Sequence, residues 1–95
     1  MIYGNIILTV KDERDIPDIR SLLTEQRRLS LLEPGCERFE VYHSQADARV
    51  FLLVERWASQ EALDAHRKAH AYTTIYQPQV LPRVDRVPHL STLVE

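Results

Sequence analysis

Apolar residues occupy both faces of two predicted strands. Residues 2–10 are mostly β-branched or apolar in both alternating series, which predicts a buried strand. Residues 37–43 alternate around Phe39 and Val41, and the polar turn 44–48 joins them to residues 49–57 as a hairpin. The strand over 49–57 carries Val50, Leu52 and Val54 on one face and Phe51, Leu53 and Trp57 on the other.

A helical period follows the first strand. Asp15 is the predicted N-cap, Pro17 lies in the first turn, and the helix is expected to stop at Glu33-Pro34-Gly35. The apolar positions recur close to 3.6-residue spacing and are Ile16, Ile19, Leu22, Leu23, Leu29 and Leu32.

Two more helical segments are predicted before the last strand. Ser59 caps a short helix with Ala62, Leu63 and His66 on one face. A further helical stretch carries Tyr72, Ile75, Tyr76 and Val80 and ends near Pro82. Residues 88–94 are predicted to form the last strand.

The element order is therefore β-α-β-β-α-(α)-β. It predicts one α+β domain over residues 1–95, with a ferredoxin-like four-stranded antiparallel sheet and helices on one face. Because the helices cover only one face and the strands are apolar on both, a second copy of the sheet is the simplest cover. We therefore expect a homodimer that forms through the sheet face.

Composition narrows the possible partners. The 12 Lys and Arg against 14 Asp and Glu give a net charge of −2, without the basic excess of a general nucleic-acid binder. The longest apolar run, residues 50–54, is too short to span a membrane. The N-terminus has no signal-peptide pattern, and the single Cys36 excludes an internal disulfide, so we expect a cytoplasmic protein.

The common sequence motifs of nucleotide-binding proteins and hydrolases are absent. Gly4 and Gly35 are the only glycines, so no phosphate-binding loop, dinucleotide fingerprint or nucleophile elbow is present. His66 and His70 have the i, i+4 spacing that two metal ligands can use, but no third ligand is evident. We expect no metal, with His66 in a pocket or core and His70 at a helix cap or at the surface.

A few polar and aromatic residues remain as candidates for binding. Asn5 is an amide in an apolar strand, so it either bonds a neighbouring group or points into a pocket. Trp57 is either a packing anchor or a wall for a flat aromatic ligand. Tyr72 and Tyr76, at i, i+4, either pack in the core or offer phenol groups at a pocket rim.

Read together, three segments resemble the antibiotic biosynthesis monooxygenase (ABM) domain family. They are residues 33–42 (EPGCERFEVY), 51–57 (FLLVERW) and 59–66 (SQEALDAH), in that family's order and spacing. The resemblance implies a ferredoxin-like fold that dimerises as an α+β barrel, with a pocket between sheet and helices in each subunit. Several members oxygenate anthrones, quinols or related polyketide aromatics without metal, flavin or other cofactor.

The resemblance also implies residue roles. Asn5 matches a strand residue that hydrogen-bonds the substrate oxygen, Trp57 matches the aromatic at the end of the third strand, and His66 is the candidate proton acceptor. We therefore predict Asn5, Trp57 and His66 as catalytic, and Tyr72, Tyr76 and Phe51 as substrate-binding. The expected reaction needs no cofactor and takes O2 as co-substrate for a small electron-rich aromatic.

Two departures and two alternatives accompany this prediction. The segment Lys68-Ala-His70 lacks the proline of many members, and Tyr76 stands where haem-degrading relatives carry a histidine, so haem degradation is not expected. An isomerase of a small lactone or phosphorylated sugar would use His66 as a proton shuttle without consuming oxygen. A non-catalytic, stress-related dimer would bind an aromatic without turnover.

Overall fold

The computed structural model describes all of residues 1–95, and its elements follow the predicted order. The strands are β1 (Ile2–Val10), β2 (Cys36–His43), β3 (Val50–Trp57) and β4 (Val84–Ser91). The helices are α1 (Ile16–Ser30), α2 (Gln60–His66) and α3 (Ala71–Val80). Short 3₁₀ turns lie at Glu13–Asp15 and Leu81–Arg83.

The four strands form one antiparallel sheet in the order β2-β3-β1-β4, with the helices on one face. The ferredoxin-like α+β prediction is confirmed. The last strand, expected at 88–94, instead begins at Val84, which pairs with Val10. Pro88 lies inside this strand, opposite Ile6. It is tolerated there because β4 is an edge strand, where a proline without an N–H need not break the pairing.

The main core lies between the sheet and the helices α1 and α3. Phe51 and Leu53 are both fully buried on the helix side, which confirms the prediction that they share one face of β3. The core is composed of Ile6, Leu8, Val10, Ile19, Leu23, Phe51, Leu53, Tyr76, Val80 and Val84. A second, smaller cluster at the other end of β3 is composed of Phe39, Trp57 and Leu63.

The ends of α1 differ from the prediction. Asp15 is the N-cap residue, but its side chain makes no capping hydrogen bond. The side chain of Asp12 caps the preceding 3₁₀ turn, where it accepts a hydrogen bond from the Arg14 N–H at 3.0 Å. The helix ends at Ser30, and Leu32 is 75% exposed although it fits the apolar period. The helix therefore ends before Leu32, although the apolar spacing continues to that residue, because turns rather than helix follow Ser30.

A tight turn connects α1 to β2 and packs against α2. Gly35 has φ of +82°, a conformation that only glycine adopts without steric cost. Its carbonyl accepts a hydrogen bond from the Ala58 N–H at 2.8 Å, just before α2. A Cβ added at Gly35 would lie 2.5 Å from Ala62 Cβ. This turn therefore sets the distance between the end of α1 and the face of α2.

Helix α3 is wider than an α-helix. The Leu81 N–H donates to the Tyr76 carbonyl, an i+5 hydrogen bond typical of a π-helix. Pro78 lies inside this helix and has no N–H to donate. The predicted helical stretch is thus present, but its hydrogen bonding differs from the expected type.

The other face of the sheet carries no helix. Ile7, Leu52, Val54 and Val87 point to this outer face, as the pairing of Ile7 with Leu52 and Val87 shows. Leu52 is 37% exposed and Val87 49% exposed. No helix of the chain has the length and apolar character needed to cross a membrane.

Candidate active site

A small cavity lies between the sheet and all three helices. Its volume is about 30 Å³, which is the space of roughly one water molecule. Among its lining side chains, Arg67 and Arg86 are exposed and mark the mouth. The cavity is lined by Ile6, Gln26, Glu55, Leu63, His66, Arg67, Tyr72, Tyr76 and Arg86.

Four aromatic rings form a continuous row, the aromatic wall: His66, Tyr72 and Tyr76 line the cavity, whereas Trp57 packs on His66 and does not line it. The ring centroids of Trp57 and His66 are 4.4 Å apart, and those of His66 and Tyr72 are 5.5 Å apart with nearly perpendicular planes. Tyr72 and Tyr76 follow at 5.3 Å, on successive turns of α3. The structure therefore brings together four of the six predicted site residues: Trp57, His66, Tyr72 and Tyr76.

Glu55 is a carboxylate on the buried face of β3. It accepts a hydrogen bond from the Trp57 indole N–H at 3.0 Å, which orients the indole ring. Burial raises the pKa of Glu55, while the Trp57 bond and the charges of His66 and Arg86 oppose that rise. The carboxyl group of Glu55 therefore lines the cavity beside His66 and Arg86, and the Trp57 indole N–H holds it in place.

Tyr76 and Arg86 form a pair of donors at the cavity. The Arg86 Nε–H donates to the Tyr76 hydroxyl oxygen at 2.9 Å, which leaves the hydroxyl proton free to bond a ligand. Burial raises the pKa of Tyr76 to about 12, so the phenol stays neutral at physiological pH. Together the two groups can donate hydrogen bonds to an oxygen that gains negative charge.

Gln26 contributes an amide that has no partner within the chain. Its side-chain oxygen is buried without a hydrogen bond, and the residue is only 1% exposed. A buried polar group of this kind costs free energy unless water or a ligand satisfies it. Because Gln26 lines the cavity, a bound water or a ligand hydroxyl group that donates to its side-chain oxygen is the natural partner.

His66 is the ionisable ring at the centre of the aromatic wall. Burial lowers its pKa below 6.5, and the Arg67 charge lowers it further, against the effect of Glu55. The ring is therefore neutral at physiological pH and able to accept a proton. Its Nδ1 lies 2.7 Å from the Glu33 Oε1 carboxylate oxygen.

Asn5 and Phe51 lie elsewhere. Asn5 points to the outer face, where its amide donates to the Ser91 hydroxyl at 3.2 Å and lines an open groove of about 250 Å³. Phe51 is fully buried in the main core, where it stacks on His43 with centroids 4.1 Å apart. Neither residue lines the cavity of His66, so the roles predicted for them stay predictions.

Four polar residues of the site were not among the predicted site residues. Glu55 was detectable as the one charged member of the inward series 51, 53, 55, 57, and Gln26 as one of two polar positions, with Ser30, in the buried stripe of α1. No such pattern marks Glu33 or Arg86. The turn after α1 brings Glu33 to the site, and the pairing of β4 with β1 brings Arg86. No group of three or more His, Cys, Asp or Glu side chains is placed to hold a metal ion.

The fold and the sequence together define the class of protein. A family model described as antibiotic biosynthesis monooxygenase matches residues 1–77. The chain therefore belongs to the antibiotic biosynthesis monooxygenase family. No curated protein matches its sequence significantly.

Solved structures share the whole fold at low identity. An antibiotic biosynthesis monooxygenase is 23% identical, with a TM-score of 0.90 and complete coverage of both chains. Rv0793 from Mycobacterium tuberculosis is 26% identical, with a TM-score of 0.82 and coverage of 100% and 98%. SnoaB, a cofactor-independent oxygenase from Streptomyces nogalater whose structure is that of a mutant, is 11% identical, with a TM-score of 0.84 and coverage of 99% and 93%.

Proposed function

We propose that this protein is a cofactor-independent monooxygenase of a small electron-rich aromatic, such as a quinol or an anthrone. The observation that carries the proposal is the cavity itself. It places a neutral histidine base, His66, beside the hydrogen-bond donors Tyr76 and Arg86, against an aromatic wall. Membership of the monooxygenase family and the fold shared with SnoaB support it.

The proposed reaction needs only a base and hydrogen-bond donors from the protein. His66 accepts the proton of the substrate, and Arg86 with Tyr76 stabilises the resulting anion. The anion passes an electron to O2, and recombination forms a peroxide on the ring carbon. The carbon that bears the peroxide then loses its remaining hydrogen as the O–O bond breaks, which leaves one oxygen atom in the product as a carbonyl. The other oxygen departs as hydroxide, takes back the proton held by His66 and leaves as water.

The size of the cavity restricts the substrate. A volume of about 30 Å³ does not hold an aromatic ring, so binding requires the side chains at the mouth to move outward. Arg67 is exposed and attached by a flexible stem, which makes it the group that gives way, whereas Arg86 stays bonded to Tyr76. We therefore expect ligands of one or two rings to bind better than three-ring anthrones or four-ring compounds.

Oxygen uptake tests the proposal directly. Chelator-treated protein is mixed with hydroquinones, dihydroxynaphthalenes and anthrones, and oxygen consumption is compared with the uncatalysed rate. Saturable uptake, one O2 per substrate, is expected, with label from ¹⁸O2 in the product and no release of hydrogen peroxide. Product formed without oxygen would indicate an isomerase, for which Arg67 and Arg86 could hold a phosphate; binding without turnover would indicate a carrier.

A second copy of the chain is the proposed cover of the outer face. The centre of that face is apolar, whereas Arg38, Glu40 and Asp85 supply charges of both signs around it. Two copies related by a twofold axis can therefore bury the apolar centre without an excess of like charge. Strand β4 also remains exposed at seven of its eight positions in the single chain.

Leu52→Glu is expected to abolish the proposed dimer. The change places a carboxylate at the apolar centre of the outer face, which cannot be buried without a partner. Sedimentation at micromolar concentration should give a dimer for the original chain and a monomer for the variant. The matched control is Leu32→Glu, at an exposed position after α1, which should stay dimeric. A monomeric original chain would contradict the proposal.

A further inference from the structure

His66 is held by a carboxylate from a distant part of the chain. Glu33 Oε1 lies 2.7 Å from His66 Nδ1, and the two side chains are 15% and 4% exposed. The Glu33 N–H donates to the Ser30 carbonyl and its own carbonyl accepts from the Cys36 N–H, which fixes the residue in its turn. The contact is therefore part of the packing between this turn and α2.

The Glu33–His66 pair lies between the interior cavity and a groove on the surface. His66 lines the interior cavity together with Tyr72 and Tyr76, and it also lines a surface groove of about 230 Å³ together with Glu33. Its Nδ1 is occupied by Glu33, whereas its Nε2 makes no hydrogen bond within the chain. One ring nitrogen is thus anchored, and the other is left for a ligand.

We propose that Glu33 is the positioning residue of His66. Its carboxylate accepts the Nδ1–H, which leaves the Nε2 lone pair as the base, and it stabilises the imidazolium formed when Nε2 takes a proton. Glu33 itself does not contact the substrate. This role rests on the proposed function only in taking His66 as the base of that reaction.

The surrounding charges give the pair a defined pH dependence. Burial raises the pKa of Glu33 to about 7 and lowers the pKa of His66. Among the surrounding groups, Glu55 on β3 favours the imidazolium, and Arg67, just after the end of α2, opposes it. Tyr72 of α3 packs edge-on against the ring, and Arg86 of β4 shares the cavity. The competent form, with Glu33 ionised and His66 neutral, therefore accumulates as pH rises through about 7.

Two variants separate the charge of Glu33 from its contact. Glu33→Gln keeps the shape but removes the charge, so kcat should fall about tenfold with little change in KM, and the pH at which activity rises should move lower. Glu33→Leu removes the acceptor and should lower kcat about a hundredfold. Glu61→Gln, an exposed carboxylate on α2, is the matched control and should leave both constants unchanged.

A measurement without substrate tests the same role. In protein labelled with ¹⁵N-histidine at pH 8.5, the His66 signals, assigned through His66→Gln, should show the proton on Nδ1 alone. Glu33→Leu should convert them to a mixture of tautomers, and Glu33→Asp should retain the original state in part. A proton on Nε2 in the original chain, or an unchanged rate in Glu33→Leu, would overturn the proposal. Because the spectrum needs no turnover, it decides the role of Glu33 even if oxygen uptake is never found.

Discussion

His66→Gln is expected to lower kcat for oxygen uptake by about 10²–10⁴-fold, the usual contribution of a positioned general base. Glutamine has comparable polarity but no group that accepts a proton near neutral pH. Substrate binding should change less, because Tyr72 and Tyr76 still line the cavity. Steady-state oxygen-electrode kinetics on the substrate found in the screen measure both constants.

The control for this variant lies four residues further along the chain. His70 is exposed just before α3 and lines no part of the cavity, so His70→Gln should keep kcat within about twofold. If His66→Gln retained full activity, His66 would not be the base. Equal losses in both histidine variants would indicate a general effect of histidine removal on the fold.

Gly35→Ala is expected to lower the free energy of unfolding by about 2–5 kcal/mol. The positive φ of Gly35 costs an L-residue about 1–2 kcal/mol, and overpacking adds about 1–3 kcal/mol. The overpacking arises because the new Cβ would lie 2.5 Å from Ala62 Cβ, which belongs to a packed helix. Urea unfolding at one fixed protein concentration measures the change.

A double-mutant cycle separates the two causes of that loss. In an Ala62→Gly background the steric contact is absent, so Gly35→Ala should cost about 1–3 kcal/mol less than in the original chain. Gly4→Ala is the control glycine substitution, because its added Cβ would make only ordinary contacts, the nearest at 3.6 Å. If the effects of Gly35→Ala and Ala62→Gly on the free energy of unfolding were additive, the Cβ–Cβ contact would not contribute to the loss of stability, because neighbouring atoms would have moved to relieve it.

The sequence predicted the sheet and its helices well because the relevant signals are local. Alternation along β3 and the helical period of α1 depend only on neighbouring residues. The start of β4 was wrong by four residues, since Asp85 and Arg86 give its first half a polar appearance although Val84 is buried. Pairing with β1, which is distant in the chain, determines that boundary.

The site was predictable only in part, for a related reason. Alternation separates Asn5 from Ile6, but both faces of β1 are apolar, so the sequence does not say which face the helices cover. Asn5 consequently lies away from His66. Contact between Glu33 and His66 depends on how the turn at Gly35 docks on α2, 33 positions apart in sequence, and no local pattern encodes it.

Ile6 borders both the interior cavity and the groove on the outer face, so a sheet one residue thick is all that separates them. If the chain dimerises and binds a ligand as proposed, two equilibria meet at that residue: ligand entry on one side and subunit association on the other. Thermodynamic linkage then requires reciprocity. If association tightens ligand binding by some factor, the ligand must lower the dimer dissociation constant through the same factor for each site it fills. Ligand affinity measured across protein concentrations would then report on quaternary structure as much as on the cavity.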